Sequence, residues 1–119
     1  MNNSCLVGQM AKRFAIAAIS LFKEHLIPQR EYIMSKQFLR SSTSIGANIA
    51  EATGSYSKKD FNHKMSIAYK EAREALYWLE ILHESGYVNS AEFNELNDLL
   101  TQINKMLFSI LKTARINTQ

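Results

Sequence analysis

The stretch RSSTSIGANIAEATG, residues 40–54, has the spacing of a helix but a composition that suits crowded contacts. A helix with so few long side chains gains little by standing alone, because it offers little apolar surface to bury. It is suited to a place where neighbouring backbones approach closely, and we predict that it is packed in that way. Its small residues are Ser41, Ser42, Thr43, Ser44, Gly46, Ala47 and Ala50.

Outward from this stretch, apolar residues recur at alternating steps of three and four in four segments, which span residues 7–21, 34–52, 61–82 and 93–110. The average step of ~3.5 residues is typical of helices packed side by side in a left-handed bundle. We refer to each row of such residues as a seam. Four seams predict four helices that share one core.

Glycine and proline mark the ends of these helices. The chain has 4 Gly and 1 Pro, which favours a few long helices over many short strands. Pro28 ends the first helix and suits the opening turn of the second, where its missing N–H is not needed. Gly54 and Gly86 are placed to end the second and third helices in the left-handed conformation.

Two capping signals mark where the third and fourth helices begin. Ser57 and Asp60 resemble a capping box with Asp where Glu is usual, and Asn89 with Glu92 repeats the arrangement. Each box is flanked by a pair spaced as a hydrophobic staple, namely Tyr56 with Phe61 and Val88 with Phe93.

These signals predict helices at about 4–26, 29–53, 58–85 and 90–115. The links between them are short, so successive helices should run antiparallel. We predict an all-α protein with one domain, residues 1–119, folded as an antiparallel up-down-up-down four-helix bundle.

The composition is that of a globular chain, with 46% hydrophobic and 21% charged residues. The single cysteine, Cys5, cannot form an internal disulfide. No run of ~18 apolar residues is present, and the first residues lack the basic segment of a signal peptide. We therefore expect a cytoplasmic protein without a membrane span.

The net charge of +3 is unevenly distributed along the chain. Residues 12–70 carry ten basic and four acidic side chains, and residues 71–119 carry four basic and seven acidic ones. A basic segment attracts phosphate groups, and an acidic one attracts the basic segment of another copy. Solvated helix faces are the alternative interpretation of charge counts this modest.

Basic side chains are the one binding surface that the sequence indicates. Contact through them with RNA or DNA would be electrostatic and largely independent of nucleotide sequence, with Tyr56 available for stacking on a base. The candidates for nucleic-acid binding are Lys12, Arg13, Arg30, Lys36, Arg40, Lys58, Lys59 and Lys64, with Lys23 as a further member.

A second apolar stripe runs along the third helix, on a face about 100–160° from its seam. Its members are Ile67, Trp78 and Ile81, and we interpret them as a subunit interface. The first helix has a similar second row, which either widens the core or faces another subunit. That row consists of Ala15, Ile19, Phe22 and Leu26.

Two polar residues, Ser41 and Asn48, occupy places on the second seam, where an unpaired polar group is costly. We predict that they join Glu51 and Arg73 in a structural network that fixes the helix register. A ligand pocket between helices is the alternative.

Catalytic chemistry finds little support in the sequence. Glu80 and His83 have the Glu-x-x-His spacing of di-iron bundles, but the nearest second copy, Asp60 with His63, lies on the same helix. Its histidine would be about 30 Å from the first, too far to share a metal ion. Glycine-rich phosphate loops are absent from the sequence as well. We expect a protein that is not an enzyme and has no metal or cofactor.

A set of short motifs runs through the second and third predicted helices, namely Arg40-Ser41-Ser42, residues 44–52, Lys59-Asp60-Phe61, Ala72-Arg73-Glu74, Trp78-Leu79 and residues 84–87. In these motifs the chain resembles the bacterial four-helix-bundle family associated with intervening sequences of large-subunit ribosomal RNA genes. The accessory protein of diversity-generating retroelements is similar in fold and shares part of the pattern.

The resemblance implies a cytoplasmic, non-enzymatic bundle that assembles with itself into a ring, often a pentamer. The retroelement relatives bind nucleic acid and associate with a reverse transcriptase, and they are more basic than this chain. Two functions are therefore expected. The first is an oligomeric protein that binds RNA or DNA through its basic N-terminal half. The second is a ring-shaped scaffold or accessory subunit that binds another protein, for example a retroelement reverse transcriptase, without contacting nucleic acid.

Overall fold

The computed structural model describes residues 3–118, with side chains from 4 to 115. The four helices are α1 (Asn3–Leu21), α2 (Ile33–Thr53), α3 (Lys58–Glu84) and α4 (Ser90–Thr118). A π-helical turn, Phe22–Leu26, and a 3-10 turn, Ile27–Gln29, extend α1. No strand occurs between residues 3 and 118, and the all-α prediction is confirmed.

The helices touch in the order α1, α2, α3, α4, and α1 closes the bundle against α4. Contacting residues run in opposite directions along neighbouring helices. Gly8 lies against Ile49 while Ala11 lies against Gly46. The same reversed order appears in the pairs Arg40–Glu71 and Glu51–Lys64 between α2 and α3, and Tyr69–Phe108 and His83–Phe93 between α3 and α4. This pattern is that of an up-down-up-down bundle, about 48 Å long and 22 Å wide.

The core follows the predicted seams. Large side chains such as Phe14, Phe38, Leu79 and Ile103 are fully buried, one from each helix. The ring centres of Phe14 and Phe38 are 6.3 Å apart in an edge-to-face arrangement. Of the predicted seam positions only Ala17, Met34, Asn48, Phe61, Phe93 and Ile110 remain partly exposed.

Three small residues of the 40–54 stretch, Ser41, Ser42 and Gly46, are buried or closely packed as predicted, whereas Ala47 and Ala50 are exposed. A Cβ atom added to Gly46 would lie 3.6 Å from the Cβ of Ala11, and 3.7 Å from its carbonyl carbon. About one turn earlier on α2, Ser41 and Ser42 are fully buried. The contact between α2 and α3 is the most extensive in the bundle, and α3 contributes three fully buried alanines, Ala68, Ala72 and Ala75.

The turn between α1 and α2 differs from the prediction. α2 begins at Ile33 and not at residue 29, because Pro28 lies in the 3-10 turn and Arg30 adopts a left-handed backbone with φ +60°. Gly54 was expected to be left-handed, but its φ is −89°. Gly86 has φ +89° and ends α3 as predicted.

The predicted caps are present in part. Asn89 and Glu92 form the full reciprocal box: each backbone N–H donates to the other's side chain, at 3.0 and 2.8 Å. The Ser57 hydroxyl accepts from the Asp60 N–H at 3.1 Å, but Asp60 does not return the bond. Tyr56 is fully exposed, so the predicted staple with Phe61 is wrong.

The start of α2 is capped by a carboxylate that the sequence analysis missed. Glu31 is only 8% exposed, and it accepts hydrogen bonds from the N–H groups of Ile33, Met34 and Ser35 and from the Ser35 hydroxyl. Burial raises the pKa of the Glu31 carboxyl, but these four hydrogen bonds outweigh burial and hold it below the usual value of 4.5. The carboxylate also faces the positive end of the helix dipole.

The segment Ser4–Gln29 is long and apolar enough to cross a membrane by length and composition, with a mean hydropathy of 1.4 over an 18-residue stretch of it. Its buried apolar residues belong to the bundle core, among them Val7, Phe14 and Leu21. The same helix would lose these contacts if it left the bundle. The compact arrangement is consistent with a soluble protein.

We predict that Glu31→Gln lowers the free energy of unfolding at pH 7 by about 1–2 kcal/mol, as the loss of a helix cap does. The folded-state pKa of Glu31 lies below its unfolded value. Its carboxylate therefore stabilises the fold above the unfolded pKa, and this contribution disappears as the pH falls through the folded pKa. Urea unfolding at pH 7 and in acid should show the gap between native and variant closing at low pH. The exposed Glu84→Gln, expected to change stability by less than about 0.5 kcal/mol, is the control. An equal loss in both variants would contradict the capping role.

Candidate nucleic-acid interface

The antiparallel topology sorts charge by bundle end and not by sequence half. One end of the bundle contains the start of α1, the end of α2, the start of α3 and the end of α4, which are residues 3–13, 43–70 and 105–118. These residues carry nine basic and two acidic side chains, and we call them the basic end. The remainder, the acidic end, carries five basic and nine acidic side chains. The net charges are therefore +7 and −4, along a bundle 48 Å long.

The eight candidate basic residues are divided between the two ends. Lys12, Arg13, Lys58, Lys59 and Lys64 belong to the basic end. Arg30, Lys36 and Arg40 belong to the acidic end, so the eight candidates do not lie on one surface. Arg40 in addition pairs with two carboxylates, those of Glu71 and Glu74.

Four members of the basic end were missed because they lie near or beyond the boundary of the acidic C-terminal half of the sequence. They are Lys70, Lys105, Lys112 and Arg115. Lys112 lines the same groove as Asn62 and Ser66 of α3, some 50 residues earlier in the chain. The predicted antiparallel topology could have identified these residues, because it places the C-terminus of α4 beside the start of α3.

The first turn of α3 is the most exposed part of the basic end. Lys58 and Lys59 are exposed, and they stand at a helix N-terminus, where free N–H groups and the helix dipole favour an anion. Tyr56 projects fully into solvent just before this turn. The Lys64 ammonium lies 3.7 Å from a Glu51 carboxylate oxygen, so part of its charge is offset.

A groove of about 540 Å³ runs between α3 and α4 inside the basic end. Its apolar wall contains Tyr69, Phe108 and Leu111, and the ring centres of the two aromatic residues are 6.3 Å apart at an angle of 48°. The Arg73 guanidinium lies 5.7 Å from the centre of the Tyr69 ring. Apart from Ala114, the other lining residues are polar or basic, with Lys112 among them.

The predicted network of Ser41, Asn48, Glu51 and Arg73 does not form. In the part of the chain that the structure describes, none of the four bonds to another. Ser41 and Asn48 donate to carbonyl groups of their own helix, Glu51 pairs with a lysine, and Arg73 contacts Tyr69.

A different polar cluster joins α2 to α3. Arg40 bridges Glu71, at 3.1 Å, and Glu74, which also accepts a hydrogen bond of 3.1 Å from the Trp78 indole. Burial raises the pKa of the Glu74 carboxyl, but the bonds from Trp78 and Arg40 lower it below its usual range. The bond to Glu74 in turn raises the pKa of Arg40. The charges of Arg40 and Glu74 are therefore held in their ionised forms.

The predicted interface residues Ile67, Trp78 and Ile81 are half-buried within a single chain. Trp78 packs against the core of its own bundle and donates to Glu74, so part of its surface has an intramolecular role. Some aliphatic side chains are more exposed, with Ile33 at 80% and Ile16 at 60%.

Residues 3–118 contain no group of three or more His, Cys, Asp or Glu side chains placed to hold a metal ion. Glu80 is exposed, whereas the Nδ1 atom of His83 lies 2.9 Å from the Val88 carbonyl oxygen and its ring stacks on Phe93 at 4.4 Å. The contacts of His83 hold the link between α3 and α4.

The fold defines the protein as a small all-α bundle with one strongly basic end. Residues 3–109 match the model of the 23S rRNA-intervening sequence protein family, and the chain belongs to that family. This result confirms the resemblance to proteins of ribosomal RNA intervening sequences.

A crystal structure of a protein with unknown function from the S23 ribosomal protein family of Bacteroides thetaiotaomicron is similar to this chain. The two are 43% identical, with a TM-score of 0.89 over 93% of this chain and 99% of the other. A comparison with functionally curated proteins gives no match.

We predict that Arg40→Gln lowers the free energy of unfolding by about 1 kcal/mol, because it leaves two facing carboxylates without their shared cation. Asn48→Ala should change it by less than about 0.5 kcal/mol, since its side chain bonds only to the Ser44 carbonyl of its own helix. Urea unfolding of both variants checks this order. Added salt should shrink the effect of Arg40→Gln. A large loss in Asn48→Ala would restore the network hypothesis.

Proposed function

We propose that this protein is a non-enzymatic, cytoplasmic homo-oligomer that binds RNA or DNA electrostatically through its basic end. The observation that carries the proposal is the concentration of nine basic and two acidic side chains at one end of the bundle. Four helices contribute to that end, so its positive field is a property of the fold. The C-terminal half of the chain takes part in it as fully as the N-terminal half.

Charge of this density suits phosphate groups. Each phosphate neutralised by Lys or Arg releases counterions, which makes the affinity strong at low salt and weak at high salt. The exposed start of α3 adds backbone N–H groups to the lysine side chains. Contacts of this kind position a strand without reading its sequence.

A protein-binding scaffold without nucleic-acid contact is the second candidate, and the exposed apolar side chains favour it. Ile33, Ile16 and Tyr77 are 80%, 60% and 55% exposed. An accessory subunit would use such residues against a protein partner, for example a reverse transcriptase. Salt separates the two candidates, since phosphate contacts weaken steeply with added salt while an apolar interface does not.

We predict that Lys58→Gln/Lys59→Gln weakens binding to a mixed-sequence single-stranded RNA and reduces the slope of log affinity against log salt by about 1.4, the value for two lost contacts. Fluorescence anisotropy at several salt concentrations measures both quantities.

The matched control is Lys23→Gln/Lys36→Gln, which removes the same charge from exposed residues of the acidic end. It should bind nearly as well as the native protein. Equal weakening by the two double variants would mean that total charge governs binding and not the basic end. Native protein that binds no RNA at low salt would favour the scaffold.

We predict that the native protein is a multimer, with the pentamer as the ring implied by the family resemblance, and that Ile81→Glu dissociates it. A charge at this half-buried position of α3 would have to be desolvated at an interface. Light scattering gives the mass, and circular dichroism shows whether the variant remains helical. Ile16→Glu on α1 is the control and should stay multimeric. Dissociation by Ile16→Glu instead would place the interface on α1.

A further inference from the structure

The α3–α4 groove of the basic end contains an exposed aromatic ring that the core does not need. Phe108 is 56% exposed, whereas its neighbours Tyr69 and Leu111 pack against the core. Leaving that much apolar surface in water forgoes the free energy that burial would supply. A groove of about 540 Å³ beside the ring has room for a planar ligand.

The aromatic wall is held in place by contacts within the chain. The Arg73 guanidinium lies over Tyr69 and donates to its hydroxyl at 3.4 Å, and Tyr69 leans on Phe108 with ring centres 6.3 Å apart. The two rings are tilted by 48° and too close to admit a third ring between them. A planar ligand would therefore stack on the outward face of Phe108, on a surface that loses little freedom when it binds.

The charge around the groove selects the kind of aromatic ligand. Lys112 lies on the groove wall, Lys105 stands one turn before Phe108 on α4, and Lys70 follows Tyr69 on α3. A neutral aromatic ligand would gain nothing from these cations. A ring attached to phosphate groups would gain from both features of the site.

We propose that the Tyr69–Phe108 groove is a stacking site for one unpaired base of a single-stranded RNA or DNA. The neighbouring phosphates of the same strand would contact lysines of the basic end. This inference rests on the proposed function and adds a preference to it. Bases in a duplex are already stacked on each other, so the groove would favour single strands over duplexes with the same number of phosphates.

The test uses the full-length native protein and a short uridine-rich RNA with one 2-aminopurine, either single-stranded or annealed to its complement. Phe108→Leu keeps an apolar side chain but removes the ring. It should weaken single-strand binding about 5- to 100-fold, leave duplex binding unchanged, and abolish the change in 2-aminopurine emission on binding. Its salt slope should equal that of the native protein, because no phosphate contact is lost. Tyr77→Leu, which removes a ring of matching exposure from the acidic end, is the control and should behave as native.

The failure of the stacking site is distinguishable from the failure of nucleic-acid binding. Equal affinity of the native protein for single strand and duplex, with no effect of Phe108→Leu, would overturn the stacking site and leave electrostatic binding intact. Absence of binding at low salt would overturn both. A fall in solution mass caused by Phe108→Leu would overturn the stacking site too, because it would show that a second copy occupies the groove.

Discussion

The close contact of α2 with both of its neighbours is the constraint on which the rest of this bundle depends. Gly46 of α2 faces Ala11 of α1, and a Cβ atom added to it would lie 3.6 Å from the Ala11 Cβ, so the two helices are in direct van der Waals contact here. Ser41 and Ser42 of α2 are fully buried, and α3 contributes the fully buried alanines Ala68, Ala72 and Ala75. The Ser42 hydroxyl is buried with no hydrogen-bond partner among residues 3–118, a cost of about 1–3 kcal/mol. We infer that small size, more than polarity, is what this position requires.

Close packing of α2 on α3 fixes their relative position along the bundle axis, and this position determines which polar side chains meet outside the core. Arg40 meets Glu71 and Glu74, three residues apart on one side of α3, because the two helices cannot slide past each other. The same axial position places the end of α2 beside the start of α3. The basic end is therefore a consequence of packing as well as of sequence.

The periodic features of the fold were predictable from the sequence, and the features that depend on a single residue were not. The seams and the box at Asn89 and Glu92 follow from local spacing, which the fold leaves unchanged. The start of α2 was missed because a left-handed Arg30 has no common sequence signal, and Glu31 caps the helix from outside the usual Ser, Thr, Asp or Asn pattern. The polar network failed for another reason, since serine and asparagine in a helix can satisfy themselves on the carbonyl four residues earlier. Only part of the candidate site was predictable from the sequence. Charge counts along the chain group residues that are close in sequence, whereas the bundle brings distant segments together at one end.

The polarity of the bundle also restricts how copies can be combined with nucleic acid. A head-to-tail arrangement would place a basic end on an acidic end, which is favourable between the copies but covers the surface that phosphate groups need. A ring of side-by-side copies, as proposed above, keeps every basic end on one face. One strand passing over that face would meet several basic ends in succession, and each contact would raise the effective concentration of the strand at the next. In such a ring modest charge on a single chain would be sufficient, because the affinity would depend on the number of basic ends that one strand could reach.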